Sequence, residues 1–139
     1  MIQYHHSDTF EFQRNKVIFL ISDLVEGQLL LNFIASQPGK RFRLFEALHL
    51  LHALAVGIEQ IPLVREYHGD IHDGNVLVTR SGMNFNVKLV EFYQWGRLDR
   101  SKIKEDVIDM AQIFYDAVGW CKHYAGQPRV IKEICCGLR

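Results

Sequence analysis

Long apolar runs are missing where a membrane segment or a leader would carry one. Met1–Asp8 is polar, contains His5 and His6, and reads as a plain polar terminus rather than a signal peptide. The next apolar run, Val17–Ile21, is far too short to span a bilayer. Net charge is missing as well: sixteen Lys and Arg balance sixteen Asp and Glu. No bulk charge points to nucleic acid or to an anionic membrane. Cysteine is scarce, and Cys121, Cys135 and Cys136 form no C-x-x-C pair. Adjacent cysteines rarely bridge each other, so thiols in a reducing cell are expected rather than a zinc or redox site. No internal repeat, low-complexity tract or linker divides the 139 residues. One soluble, cytoplasmic domain spanning 1–139 is the expectation.

What is present reads as a mixture of strands and helices. Val17–Ile21 is a branched, continuous apolar run and predicts a buried strand, turned at Gly27. Leu29–Ser36 is a short helical pattern closed by Pro38-Gly39. From Phe42 to about Gln60, apolar residues occupy most of the circumference, which predicts a helix inside the domain, stopped by Pro62. His49 and His52 on that helix are expected to be structural. Val76–Val78 and Val87–Val90 predict a hairpin around Arg80–Asn84. Tyr93–Lys104 is irregular and polar. Asp106–Val118 predicts a helix with Val107, Met110, Ile113, Phe114 and Ala117 on one face, ended by Gly119. Pro128–Cys136 predicts a last one.

Between the apolar helix and the hairpin lies His68-Gly69-Asp70-Ile71-His72-Asp73-Gly74-Asn75, a polar loop. It reads H-x-D-x-x-x-x-N, the spacing of the protein-kinase catalytic loop. Phosphoryl transfer needs positioning and charge neutralisation more than covalent chemistry. A carboxylate at Asp70 suits orientation and deprotonation of an attacking hydroxyl. The amide oxygen of Asn75 suits magnesium, and the hairpin returns Glu91 as a further oxygen ligand. His68 is expected to pack beneath the loop and hydrogen-bond backbone.

The octet is similar to the loop of the aminoglycoside- and choline-phosphotransferase branch of the protein-kinase-like superfamily. There a glycine often follows the first histidine, and a second histidine stands at the position of His72. The resemblance places His72 near the transferring phosphate. Its flanks extend over roughly residues 15 to 120. Val17–Gly27 resembles the strand and hinge that meet adenine, with Ser22 as gatekeeper and the backbone of Asp23 and Val25 as nucleotide contacts. Val87-Lys88-Leu89-Val90-Glu91-Phe92-Tyr93 resembles the strand leading into Asp-Phe-Gly. Lys104–Val107 with Met110 resembles the start of a buried helix whose acid, Asp106, would hydrogen-bond the catalytic-loop backbone. The resemblance implies an α+β, mainly helical fold: a kinase-like C-lobe with a small hairpin, 76–93, carrying the cleft. ATP and Mg2+ are the implied cofactors, and Asn75 and Glu91 the implied metal ligands.

Four departures shape that expectation. Glu91 stands for the metal-binding Asp, and Tyr93 for the glycine of that motif. No glycine-rich loop or strand lysine is present, so an N-lobe is absent and the chain as given is expected to be inactive without one. Gly69 replaces an arginine that reads a phosphorylated activation loop. Fourteen residues separate Glu91 from Asp106 with no Ala-Pro-Glu, which points to a small-molecule or otherwise unusual hydroxyl acceptor. Two further readings compete. One is a pseudokinase or binding module without activity. The other is a calcineurin-like metallophosphoesterase, suggested by Gly-Asp-Ile-His but lacking its later Gly-Asp-x-x-Asp and Gly-Asn-His elements. An exposed apolar surface around Val17–Val25 is expected, inviting self-association or a missing lobe.

Overall fold

The computed structural model describes residues 4–91 and 98–135. Phe92 and Tyr93, read against Asp-Phe-Gly, and Cys136 lie outside the described residues. The chain begins with an antiparallel hairpin, β1 (Tyr4–Phe12) and β2 (Asn15–Ser22). A two-residue strand β3 (Gln28–Leu29) leads into helix α1 (Leu30–Ser36). Helix α2 (Leu44–Gln60) follows, then the loop, then β4 (Val76–Ser81) and β5 (Asn84–Leu89). Helices α3 (Arg100–Ala117), α4 (Trp120–Tyr124) and α5 (Arg129–Ile134) complete the order.

The expected mainly helical, kinase-like C-lobe with one small hairpin is corrected by this architecture. The molecule is a small α+β domain, with about 48% helix and 24% strand among the described residues. Its strands form two separate sheets, β1-β2 and β3-β4-β5. The missed strand is β1, read as a polar end. Its turn residues Gln13 and Arg14 both have positive φ, 50° and 65°. That is the two-residue turn that suits a twisted hairpin, and it ordinarily carries Asn-Gly or Asp-Gly. With Gln-Arg in those places the sequence offered no turn signal.

Two burial expectations are also corrected. Val17–Ile21 is a strand, not buried but exposed, as the apolar surface expected over Val17–Val25 has it: Ile18 is 74% and Leu20 58% exposed. Among the described residues the hairpin packs against no other element beyond marginal contact, so its branched residues meet no second layer there. Helix α2 does not lie wholly inside. Ala47, Leu50, Leu54 and Ile58, at helical spacing, are buried, while Phe45 and Val56 on other faces are exposed.

The core sits between the three-stranded sheet and the two long helices. Helix α2 packs on β5 on one side and on α3 on the other. Phe33, Phe42 and Phe85 meet with ring centroids 5.5–6.1 Å apart. Beside them, Leu30, Leu50, Leu54, Val76, Phe114 and Ile131 are almost fully buried. Removing that apolar surface from water is the main term favouring the fold. Arg80 of β4 reaches Glu46 of α2 at 2.8 Å, a half-buried pair that ties sheet to helix. That hydrogen bond holds the Glu46 carboxyl below the usual carboxylate range.

Helix α3 starts six residues before Asp106. Asp99 caps it, its carboxylate accepting from the N–H groups of Ser101 and Lys102. The polar Arg100–Lys104 segment was therefore helical rather than irregular. Val107 is exposed, and the buried stripe of α3 is Asp106, Ile113, Phe114 and Ala117. Gly119, at φ 101°, ends the run as a left-handed residue beyond the last turn.

Candidate functional site

The loop 68–75 is held by backbone bonds from three directions. From α3, the Asp106 carboxylate accepts from the N–H groups of His68 and Gly69, each at 2.8 Å. Asp106 is 2% exposed. A buried carboxylate must find donors, and these two N–H groups, in a segment without helix or strand partners, must find an acceptor. From β5, the Val90 carbonyl lies 2.9 Å from Nε2 of His68, and the Val90 N–H donates to the Asn75 carbonyl at 3.0 Å. From α1, the Leu31 N–H donates to the Asp73 carbonyl at 3.1 Å.

His68 is fully buried under this loop. Its Nδ1 accepts from the Asp70 N–H at 3.3 Å. The proton therefore sits on Nε2, which donates to Val90. Burial holds the imidazole below its ordinary range, while the Val90 carbonyl and the carboxylates of Asp106 and Asp70 pull the other way. His68 is thus a neutral strut whose ring fixes the backbone of Asp70.

Asp70 and Asn75 come together above it. The Asn75 side-chain N–H groups donate to the Asp70 carbonyl at 3.0 Å and to its carboxylate at 3.2 Å. The carbonyl can only accept, so the amide orientation is set and Oδ1 of Asn75 is the end left for a cation. Asn75 is 3% exposed, whereas the Asp70 side chain is half exposed. One group is therefore anchored and the other faces solvent. His72 stands beside them, its Nε2 3.8 Å from the Asp70 carboxylate. The Gly74 N–H donates to Nδ1 of His72 at 3.1 Å. A Cβ at Gly74 would fall 2.8 Å from that ring, so only glycine leaves the imidazole where it is. With Nδ1 accepting, His72 presents an N–H from Nε2.

Asp109 was not singled out from the sequence. One helical turn beyond Asp106, it lies close enough to the Ile71 N–H for that group to favour its charged form. Burial nonetheless raises its carboxyl above the usual range, and the charges of Asp106, Asp70 and Glu105 push the same way. The signal was available: Asp106 and Asp109 at i, i+3 on a helix share a face.

The other expected site residues lie on neighbouring elements. Glu91 is exposed, at φ 62°, where the chain leaves β5. The preceding residue, Val90, donates its backbone N–H to the Asn75 carbonyl at 3.0 Å, so Glu91 leaves the hairpin beside the Asn75 backbone. Ser22 and Asp23 are exposed at the end of β2, and Val25 is half-buried. The Ser22 hydroxyl donates to the Asp23 carbonyl, and Nε2 of His5 lies 2.6 Å from the Asp23 carboxylate. His5 thus belongs to a defined cross-hairpin contact rather than a plain terminus. His49 stacks edge-on against Phe45 at 4.7 Å and is half-buried, while His52 is exposed. A shallow groove between α2 and β5, lined by His49, His52, Asn84 and Asn86, includes none of the loop residues.

No protein-family model matches the chain, and no curated protein does either. Among the described residues, no three His, Cys, Asp or Glu side chains converge tightly enough to form a metal cage. Magnesium does not need one: it is commonly held by one or two protein oxygens plus substrate phosphates. Asn75 Oδ1 and the Asp70 carboxylate, in a neighbourhood made negative by Asp106 and Asp109, fit that donor set. No helix among the described residues is long and apolar enough to cross a membrane.

Proposed function

We propose that the 68–75 loop serves a phosphotransferase that moves the γ-phosphoryl group of ATP to the hydroxyl of a small-molecule acceptor. The observation that carries this reading is the convergence of a half-exposed Asp70 carboxylate with the anchored Asn75 carboxamide at 3.2 Å. The loop's likeness to that of aminoglycoside and choline phosphotransferases supports the same assignment. Asp70 receives the acceptor hydroxyl, orients it and takes its proton. Asn75 holds Asp70 in place through its N–H groups and offers Oδ1 to magnesium. His72 directs its Nε2 N–H at a phosphate oxygen. Magnesium, when bound with the nucleotide, supplies neutralisation of phosphate charge. Ser22, Asp23 and Val25 remain the proposed adenine-side contacts, and Glu91 a proposed further oxygen ligand.

Glu91's exposed placement favours a second reading, in which the site binds nucleotide without turning it over. Thermal unfolding of the full chain with ATP and Mg2+, followed by measured ADP formation, separates the two. Contrary to the inactivity expected of a chain without a glycine-rich loop, catalysis predicts an upward shift in midpoint and ADP formation that Asp70→Ala abolishes while nucleotide still stabilises the fold. Binding alone predicts the shift without ADP. No shift, or ADP formation undiminished in Asp70→Ala, overturns the proposed role of the loop.

A further inference from the structure

The β1-β2 hairpin presents a long strand edge unlike those proteins usually leave open. Within the described residues, β2 pairs with β1 on one side only. Its central residues, Val17-Ile18-Phe19-Leu20-Ile21, contain no charge, proline or glycine. Exposed edges are normally guarded by lysine, proline or inward charges, because their open N–H and C=O groups template pairing with another chain. β1 is guarded in this way by Asp8 and Glu11, with His5 and His6 beside them. β2 carries only Lys16, at its start.

We propose that β2 is the dimerisation edge of this protein and that its occupant is β2 of a second copy, giving a four-stranded sheet in the order β1-β2-β2-β1. Symmetry restricts the pairing. A two-fold axis perpendicular to the sheet makes the strands antiparallel and keeps like faces on one side, so odd residues meet odd and even meet even. Charge then selects the register. Centring on Phe19 sets Val17 against Ile21, Ile18 against Leu20, and Phe19 against Phe19 of the second copy. Every residue of the apolar stretch meets an apolar one, and Lys16 falls against Ser22. Slipping by one step of the allowed registers sets Lys16 against Leu20, or Val17 against Asp23. Each leaves a charge against an apolar side chain.

The face so formed continues one already present. In β1-β2, Phe19 stacks against Phe10 and His6, each ring pair 6.0 Å apart. Phe10 lies across from Val17, Asp8 across from Phe19 and His6 across from Ile21, so the same face carries these five with Asp8 between Phe10 and His6 on the β1 side, away from the free edge of β2. Doubling it extends an aromatic and branched surface across four strands. An isolated two-stranded hairpin is at best marginally stable in water, and more strands stabilise it.

Sedimentation equilibrium of the full chain over a range of concentrations tests this. A reversible monomer–dimer equilibrium is expected. Ile18→Lys and Leu20→Lys each place a charge against an apolar partner and are expected to weaken association by about tenfold or more. Both positions are exposed and outside the core, so the unfolding midpoint of the dilute monomer should stay unchanged. Thr9→Lys, on β1 directly across from Ile18, should leave the dimer intact. A monomer at all concentrations, a species larger than a dimer, or a Thr9→Lys effect equal to that of Ile18→Lys would overturn the proposal, the last because it indicates stacking of faces rather than joining of edges.

Discussion

At the scale of single residues, the loop depends on which atoms hold protons. His68 accepts from the Asp70 N–H through Nδ1 and donates to Val90 through Nε2, so the ring must be neutral. Its pKa is lowered in the folded protein, mainly by burial. The unfolded chain then takes up a proton at a pH where the folded chain does not, so folding stability is full above the ordinary imidazole range and falls as pH drops through it. The expected loss is at most about 1.4 kcal/mol per pH unit below pH ~6.5, read from urea unfolding between neutral and mildly acidic pH. His68→Gln should flatten that slope while lowering stability at neutral pH. Protonation of Nδ1 also breaks the bond to Asp70, so the acidic limb of any activity should fall at lower pH than the onset of the stability loss, where the folded ring itself protonates. Asp109 works in the opposite sense: its carboxyl is raised by burial, and its contribution to stability is lost as pH rises through that range.

At the scale of elements, the decisive contact joins a helix to a loop far along the chain. Asp106 satisfies two backbone N–H groups at 2.8 Å. Asp106→Ala leaves both without an acceptor and is expected to cost about 2–4 kcal/mol in denaturant unfolding. Asp106→Asn keeps one acceptor oxygen and is expected to cost roughly half as much. A result in which the two variants match would mean that the carboxylate's charge, rather than its two acceptor atoms, holds the loop. Much at this scale was legible in the chain. Helix α2, helix α3 from Asp106 onward and the β4-β5 hairpin follow from apolar spacing and from Pro62, Gly82 and Gly119. The start of α3 and the whole of β1 were not. Asp99 acts as a cap through an ordinary turn of polar residues, and the Gln13-Arg14 turn adopts positive φ without the residue types that announce it.

At the scale of the whole molecule, two sheets of very different standing share one chain. The β3-β4-β5 sheet is packed on α1 and α2, while β1-β2 stands almost clear of the rest. Local opening free energy follows burial and contact density. Amide exchange is therefore expected to be ~10²-fold or more faster in the dilute monomer's β1-β2 hairpin than in α2 or β4. Mass-resolved hydrogen exchange reads this directly, and equal protection of the two sheets would show that the hairpin is held by packing rather than by its own pairing alone. The loop 68–75 should be protected despite its irregular backbone, because its N–H groups end on Asp106 and on Nδ1 of His68 and His72.

By itself the order of residues determined where strands and helices can form, and which polar loop holds an acid and an amide five positions apart, because periodicity and hydrogen-bonding chemistry are local. It left Val17–Ile21 open between a buried strand and an exposed apolar surface, since burial depends on whether a second layer arrives to cover a strand. Nor could it bring Asp109 of α3 to the Ile71 backbone, or Val90 to Asn75. Those distances depend on how α3 and β5 pack around α2, and packing is a property of surfaces that meet only when the chain has folded.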